Sequence, residues 1–235
     1  WLHRLGLIDA HDGLLTPLLT HESEYFSAPL PSPDASQVVF FSRPSKEAPL
    51  ALEVIDVADR ERRVLVDAGP SLTMPVWSPD GGTLYLGLGE AGVDSIWAID
   101  VATGEREQLL GVAEGADSAA LLEESVQLDA EAEGLDPADE AAQAAHELRL
   151  AELAKRSSAF QHLSLAADGA TLFVSETSPR GDFVGALELE SRAYRRLAPL
   201  RASRITANPR DPQRMALQLY APGLPDAEQG DREDS

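Results

Sequence analysis

Residues 75–110, PVWSPDGGTLYLGLGEAGVDSIWAIDVATGEREQLL, decide the fold of this chain. An apolar strand ends at residues 76–77, and the runs 83–88, 96–100 and 106–110 have the alternation and the β-branched residues of further strands. The turns between them, SPDGG and VATGE, consist of residues that tolerate tight or left-handed backbone. This order of four short strands and tight turns predicts one whole blade of a β-propeller.

The first of these turns recurs along the chain. Similar segments begin at residues 32, 78, 166 and 208, which are separated by 46, 88 and 42 residues. Propeller blades of this kind run to roughly 40–45 residues, so the middle interval corresponds to two repeats. An ordinary β-sandwich with type I turns is the alternative, and the regular recurrence of one turn argues against it. The repeat predicts an all-β fold, a β-propeller of four-stranded antiparallel blades.

One segment lacks the strand pattern. Residues 114–157 contain few β-branched residues and are rich in Ala, Glu, Leu and Gln. Asp136 and Pro137 have the residue types of a helix N-cap and first turn. Apolar residues then recur near helical spacing, which predicts a helix over 137–156 on the propeller surface. The propeller is therefore expected to carry a helical insertion.

The chain divides into four predicted parts. Residues 1–112 form propeller blades, 113–157 the helical insertion, 158–223 further blades and 224–235 a disordered acidic tail. Residues 7–13 have the pattern of a late strand and its turn, so the first blade starts midway. Closed propellers usually have four to eight blades. With three legible blades and two partial ones, the propeller is predicted to be partial or reduced, either a piece of a longer protein or an open form.

Composition limits the partners. The formal net charge of −21 argues against nucleic acid and anionic membranes. No apolar run approaches the 18 residues of a membrane-spanning helix. The sequence contains no cysteine, so disulfide and thiolate chemistry are excluded and the redox compartment cannot be inferred. A cytoplasmic location is the working expectation.

The repeat resembles that of TolB-like propellers, and residues 18–110 are similar to the opening blades of the oligogalacturonate lyase family. The residues that carry this resemblance are Leu19-Thr20, Tyr25-Phe26, Ser32-Pro33-Asp34, Phe40-Phe41, Ser78-Pro79-Asp80, Leu84-Tyr85 and Val101-Ala102-Thr103-Gly104-Glu105. Residues 204–223, RITANPRDPQRMALQLYAPG, resemble a later segment of the same family. The SPDG and DxATGE elements also occur in the propellers of prolyl oligopeptidase-type peptidases, but no GxSxG nucleophile motif is present.

The resemblance implies β-elimination of pectin-derived oligogalacturonates with a divalent metal, usually Mn²⁺, held by His and Gln. The metal would bind the uronate carboxylate and acidify the adjacent proton. This chain departs from that pattern, because Arg204 stands where the family has its first metal-binding His, and residues 220–223 contain no His. Gln218 is the one remaining possible ligand. We therefore assign no cofactor from the residues themselves, and Mn²⁺ is implied by the resemblance alone. No catalytic residue is assigned.

Four residues are candidates for substrate binding. Gln161 and His162 enter the predicted inner strand of a blade, and inner strands line the central channel. The guanidinium groups of Arg201 and Arg204 could each form bidentate hydrogen bonds with a carboxylate. The structural alternatives are a polar strand residue for His162 and a solvated cluster for the arginines. His21 precedes an inner strand in the same way and is an equal candidate with the same structural alternative, whereas His146 is expected on an exposed helix position.

Other residue types that suggest chemistry have structural explanations. Asp34, Asp80, Asp168 and Asp211 fall at equivalent turn positions, where Asp bonds its own backbone. Trp77 and Trp97 are expected to pack between blades. Two functions remain open: a catalytic or formerly catalytic propeller that binds an oligosaccharide or uronate, and a non-catalytic propeller that binds a protein partner.

Overall fold

The computed structural model of the chain describes residues 3–8, 10–21, 25–45, 48, 50–69, 71–90, 93–111, 124, 127, 128, 131, 134, 139–154, 159–178 and 180–219. The predicted tail, 224–235, lies outside the described residues.

The described residues include seventeen short strands and a helix of 15 residues. The strands are β1 (His3–Ile8), β2 (Leu15–His21), β3 (Tyr25–Pro31), β4 (Gln37–Arg43), β5 (Leu50–Asp56), β6 (Arg62–Gly69), β7 (Ser71–Leu72), β8 (Val76–Trp77), β9 (Thr83–Glu90), β10 (Val93–Asp100), β11 (Arg106–Leu110), β12 (Ala159–Leu165), β13 (Thr171–Ser178), β14 (Gly181–Glu188), β15 (Tyr194–Ala198), β16 (Ala202–Asn208) and β17 (Asp211–Leu219). The helix, α1, spans Glu140–Ala154 and lies between β11 and β12 in the chain.

The strands form five antiparallel sheets in chain order. Sheet 1 is β1–β2, sheet 2 is β3–β6, sheet 3 is β7–β11, sheet 4 is β12–β15 and sheet 5 is β16–β17. Sheets 2 and 4 have four strands each, in sequential order. In sheet 3, β7 and β8 both pair with β9, so they are two halves of one first strand, interrupted at residues 73–75. The prediction of a partial all-β propeller with four-stranded antiparallel blades and a helical insertion is confirmed.

Left-handed residues mark equivalent turns in the sheets. Ala35, Gly81 and Gly169 have positive φ and stand two residues before the second strand of their sheet. The residues two positions before the fourth strands also have positive φ, namely Arg60, Gly104 and Arg192. Gly13 has the same conformation two residues before β2. Because β1 and β2 come directly before the first strand of the complete sheet 2, they correspond to the third and fourth strands of a half-blade.

The turn aspartates are structural, as predicted. The Asp34 carboxylate accepts hydrogen bonds from the Ser32 hydroxyl at 2.7 Å and from the Ser36 amide at 3.1 Å. The hydroxyl of Ser32, followed by the groups of Ser36, lowers the pKa of Asp34 to about 2. Asp80 accepts from the Ser78 hydroxyl at 2.5 Å, and this bond is the main cause of its lowered pKa. Asp168 and Asp211 each accept an amide two residues ahead, in the geometry of an Asx turn.

Apolar side chains fill the spaces between successive sheets. Val39, Val54 and Leu86 belong to the cluster between sheets 2 and 3, and each is at most 2% exposed. Trp77 joins this cluster and donates its indole N–H to the Leu30 carbonyl at 3.3 Å. Similar clusters link sheet 1 to sheet 2, sheet 3 to sheet 4, and sheet 4 to sheet 5. Sheets 2, 3 and 4 thus bury both faces against their neighbours in the series, which is how propeller blades become stable.

Two carboxylates are buried within the sheets. Glu53, 4% exposed, is paired with the Arg62 guanidinium and accepts a hydrogen bond from Ser42. Glu176, 2% exposed, accepts from Arg196 at 2.7 and 2.9 Å and from the Tyr194 hydroxyl at 2.7 Å. A buried charge is tolerated when it is paired and hydrogen-bonded, so both carboxylates are structural.

The helix begins later than the sequence suggests. Asp139, rather than Asp136, is the N-cap, because its side chain accepts the Ala142 amide at 3.0 Å. Leu148 on α1 is 66% exposed, and no described residue of α1 belongs to the clusters between the sheets. The helix therefore has the surface character that its weak apolar stripe indicates.

Candidate functional site

The first strands of neighbouring sheets carry a set of equivalent positions. Ala28, Met74, His162 and Arg204 each stand four residues before the start of the recurrent turn, and we call them the axial set. β12 packs between β8 on one side and β16 on the other, so first strands lie side by side. The axial set therefore falls at one level of the propeller, on the strands that surround its centre.

The first strands are irregular at this level. The pairing register shifts between Phe160 and Leu163 in β12, and between Ala202 and Arg204 in β16. Ala28 has a φ of 51°, and the interruption of the first strand in sheet 3 includes Met74. Bulges of this kind turn side chains away from the regular pleat and often lie next to binding sites. Similar irregularities occur in the first strand of each of these sheets, so they are a property of the repeat. The sheets differ in which amino acid occupies the axial-set position.

His162 and Arg204 are the polar members of the axial set, and they lie near each other. His162 is half-buried and Arg204 is exposed. Burial first, and then the positive charge of Arg204, lower the pKa of His162 below its usual value. At neutral pH this pair consists of a guanidinium cation and a neutral imidazole, which can donate or accept a hydrogen bond. That combination suits a ligand with a carboxylate beside a hydroxyl group.

The environment of Arg204 leaves its charge available to a ligand. Within the part of the chain that the structure describes, no carboxylate forms an ion pair with Arg204, whereas Arg62, Arg192 and Arg196 each have one. Arg60, Arg195 and Arg210 likewise form no ion pair among the described residues, so the position beside His162 is what distinguishes Arg204. A bound carboxylate would provide the missing counter-charge.

The residues near Arg204 do not fit a manganese site. Gln218, the possible metal ligand, is exposed and is the cross-strand partner of Arg204. A guanidinium next to this amide repels a divalent cation, and no imidazole on β17 helps to bind one. Among the described residues, no three His, Asp or Glu side chains are grouped closely enough to hold a metal ion. Residues 220–223, where the family has its later His, lie outside the described range.

The other predicted site residues are distributed around this pair. Gln161 is exposed and adjoins His162 within the bulge of β12. Arg201 precedes β16, and its guanidinium lies 3.9 Å from the Asp182 carboxylate of β14. The structure therefore places Arg201 near the start of β14, with a carboxylate of its own chain beside it.

The remaining histidines and tryptophans have less to do with this site. His21 is the last residue of β2, opposite His3, and its side chain lies outside the described structure. His146 lies on α1 and is half-buried rather than exposed. Trp97 packs against the cluster between sheets 2 and 3, as predicted, and donates to the Ser95 hydroxyl at 2.7 Å.

Two features were missed by the sequence reasoning. Met74 belongs to the axial set and is 49% exposed, although no motif marks it. Sheet 1 has an apolar groove of about 720 Å³, whose lining includes Ile8, Leu15 and Pro17. Counting residues back from each recurrent turn would have identified Met74, whereas the groove arises from how the strands pair.

No helix in the described part of the chain is both long and apolar enough to cross a membrane.

Comparison with known proteins identifies the fold. No family model and no curated protein matches the sequence. Among solved structures, the chain is similar to TolB from Acinetobacter baumannii, with a TM-score of 0.58, 15% identity, and coverage of 94% of this chain and 44% of that one. It is also similar to a prolyl endopeptidase, with a TM-score of 0.56, 16% identity, and coverage of 87% of this chain and 27% of that one.

A third similar structure is described as a β-propeller domain. The Cps50 (Swd1) β-propeller domain of Myceliophteria thermophila has a TM-score of 0.50 and 10% identity, with coverage of 88% of this chain and 58% of that one. This chain thus spans about half or less of the first two neighbours and just over half of the third. These likenesses establish a TolB-like β-propeller fold. They give no support to a similarity with oligogalacturonate lyases in particular.

Proposed function

We propose that this TolB-like propeller binds a carboxylate-bearing oligosaccharide of the uronate class through Arg204 and His162, without a catalytic metal of its own. The observation behind this proposal is that Arg204 lies near His162, at equivalent positions of neighbouring first strands. Among the described residues, no carboxylate forms an ion pair with Arg204. Gln161 and Gln218 supply amide groups on the same two sheets. Arg201, which adjoins Asp182, contributes less.

The chemistry of the pair matches that ligand class. A guanidinium binds a carboxylate through two parallel N–H donors. A neutral imidazole beside it can accept a hydrogen bond from a hydroxyl group, and each uronate unit offers both groups. Arg204 lies on β16 and His162 on β12, so the ligand would bridge sheets 4 and 5.

Replacing Arg204 with alanine should weaken binding of digalacturonate by about 10-fold to 150-fold. The reason is the loss of hydrogen bonds to a charged group, which are worth about 1.5–3 kcal/mol. Titration calorimetry, or chemical-shift perturbation if the affinity is weak, would measure the change. Because Arg204 is exposed, its removal should leave the fold unchanged.

A matched control is available on the same strand pair. Arg210 is also an exposed arginine, in the turn between β16 and β17, where its main-chain amide binds the Asn208 side chain at 2.9 Å. Arg210→Ala removes the same net charge and should bind digalacturonate like the unaltered chain. Equal weakening by both substitutions would reduce the effect to general electrostatics, and binding of neutral galactose oligomers with the same affinity would exclude a carboxylate site.

Mixing the chain with oligogalacturonate and Mn²⁺ should give no unsaturated product that absorbs in the ultraviolet. Gln218 next to the Arg204 guanidinium is a poor metal ligand, and without the ion the developing charge at the uronate loses several kcal/mol of stabilisation. About every 1.4 kcal/mol is a tenfold loss in rate. Turnover that stops upon chelation would show that other residues hold the metal and would contradict the proposed site.

A protein-binding propeller is the second proposal, and a different observation favours it. Sheet 1 presents exposed apolar side chains, with Ile8 69% and Leu15 55% exposed, on the same groove. Exposed apolar patches of this kind commonly mark protein interaction sites.

A further inference from the structure

Two serines of sheet 4 hold the strand that carries Arg204. The hydroxyl of Ser175, on β13, donates a hydrogen bond to the Ala202 carbonyl at 3.0 Å. The hydroxyl oxygen of Ser164, on β12, accepts a hydrogen bond from the Ala207 amide at 2.8 Å. Ala202 stands two residues before Arg204, and Ala207 stands three residues after it. The strand β16 is therefore attached to sheet 4 on both sides of the arginine.

Burial makes these hydrogen bonds difficult to replace. Ser175 is 4% exposed and Ala202 is 0% exposed, so water does not reach this carbonyl in the folded chain. Ser164 and Ala207 are half-buried. A main-chain group that loses its partner away from water carries a free-energy cost. Without either hydroxyl, β16 would therefore shift to let water reach its main chain, and Arg204 would shift with it.

The contact made by Ser175 recurs between sheets 3 and 4 without a hydroxyl group. Gly87 and Ser175 each stand nine residues after the start of the recurrent turn in their sheets. A Cβ atom on Gly87 would lie 3.3 Å from the carbonyl oxygen of Phe160, which stands two residues before His162. In sheet 2 the same position is Phe41, which packs in the cluster between sheets 2 and 3. Packing of successive blades in this chain therefore does not require a hydroxyl at this position.

The position of Ser164 shows the same difference. It stands two residues before the turn, where sheet 2 has Leu30 and sheet 3 has Val76. Both of these side chains are apolar and pack against the clusters between sheets. Hydroxyl groups thus replace apolar side chains or glycine at two positions, and both changes occur at the junction that brings Arg204 beside His162. This coincidence indicates a role in the site as well as in the fold.

We propose that Ser164 and Ser175 are positioning residues, which fix Arg204 at the distance from His162 at which one ligand contacts both side chains. The benefit to ligand binding rests on the proposed function, whereas the placement of Arg204 is a property of the chain without ligand. Both hydrogen bonds use the main chain of β16, so the guanidinium keeps its own donors for a carboxylate. Movement between sheets 4 and 5 would have to be lost on binding, and a site that is already ordered avoids that cost.

The first test measures, without ligand, how close Arg204 remains to His162. Burial first, and then the charge of Arg204, lower the pKa of His162, so moving the guanidinium away raises that pKa. Ser164→Ala and Ser175→Ala, made separately, should each raise the pKa of His162 toward its value in Arg204→Ala, as followed by NMR titration of the imidazole. Added to Arg204→Ala, neither serine substitution should raise the pKa further.

Ser203→Ala is the matched control for this titration. Ser203 adjoins Arg204, but its hydroxyl donates to the Gln218 carbonyl within sheet 5 at 3.1 Å, in an exposed hydrogen bond that water can replace. The pKa of His162 should therefore stay unchanged. Ser164 is only half-buried, so its variant keeps the test available if Ser175→Ala does not fold.

Two results of the titration would overturn the proposal. One is a pKa of His162 that neither Ser164→Ala nor Ser175→Ala changes. The other is a rise of equal size in the presence and absence of Arg204, because the serines would then only keep water away from the imidazole.

The second test separates the positioning of Arg204 from the identity of the ligand. Calorimetric titration with digalacturonate should give an affinity about 2-fold to 10-fold lower in either serine variant, a smaller loss than in Arg204→Ala. If the unaltered chain does not bind digalacturonate but the pKa of His162 responds as expected, the proposed function is wrong and the positioning stands. Equal affinities of the unaltered chain and both serine variants for digalacturonate would refute the positioning role.

Discussion

Replacing Arg196 with alanine should lower the free energy of unfolding by about 3–5 kcal/mol. Its guanidinium donates two hydrogen bonds to the Glu176 carboxylate, which is 2% exposed. Without Arg196, a buried negative charge would keep only the hydrogen bond of Tyr194 from among these partners. The same guanidinium lies 4.4 Å from the Phe183 ring centre, so a favourable cation–π contact is lost as well.

Chemical denaturation followed by circular dichroism would measure this loss. Arg195→Ala is the matched control on the same strand, because Arg195 is exposed, and its removal should change the free energy of unfolding by less than about 0.5 kcal/mol. Replacing Glu176 as well, by Gln, should recover part of the stability lost in Arg196→Ala, since the uncompensated charge would then be gone. Equal effects of the Arg195 and Arg196 substitutions would show that the buried pair has no special role.

Replacing Gly185 with alanine should destabilise the chain by about 2–4 kcal/mol. A Cβ atom on Gly185 would lie 2.2 Å from the Tyr194 hydroxyl oxygen and 2.4 and 2.5 Å from two ring carbons. The ring cannot yield freely, because its hydroxyl donates to Glu176 and its edge packs on Phe160 at a centroid distance of 6.5 Å. The substitution therefore overpacks the site and breaks a hydrogen bond to a buried charge.

The control for this prediction is Gly82→Ala, at a position where an added Cβ would meet the Asp80 carboxylate at an ordinary 3.6 Å. It should shift the unfolding midpoint little. Adding Tyr194→Phe to Gly185→Ala tests the mechanism, because the hydrogen bond to Glu176 is already broken in Gly185→Ala and the shortest contact is then relieved; the second substitution should therefore cost less stability than Tyr194→Phe costs in the unaltered chain. If Gly185→Ala unfolds at the same denaturant concentration as the unaltered chain, the close packing of Tyr194 on Gly185 is wrong.

Local sequence signals were sufficient for most of the fold. Asp34 and Asp80 bond the backbone two residues ahead, so their turns are determined by neighbours in sequence and could be predicted. The interruption of the first strand at residues 73–75 could not, because it depends on how β7 and β8 share β9. The helix start was misplaced by three residues, since both Asp136 and Asp139 have the chemistry of an N-cap and only the observed hydrogen bond selects Asp139.

Contacts between distant strands explain what the sequence did not reveal. Glu176 and Arg196 are 20 residues apart in the sequence and lie on strands separated by β14, so no local sequence pattern predicts their ion pair. His162 and Arg204 were named as separate candidates from residue type, but their proximity depends on β12 packing beside β16. The substrate-binding role of both residues stays a prediction.

The link between β11 and β12 has a consequence for how this fold tolerates change. It contains 48 residues, from 111 to 158, whereas three residues join β15 to β16. Despite this difference, β12 packs against β8, β9 and β10 as directly as β16 packs against β12. Loop-closure entropy grows only with the logarithm of length, at about 0.6 kcal/mol per doubling, so a link sixteen times longer costs only about 2–3 kcal/mol. The junction between blades is therefore a place where evolution could lengthen the chain greatly while leaving the packing of the adjoining blades unchanged.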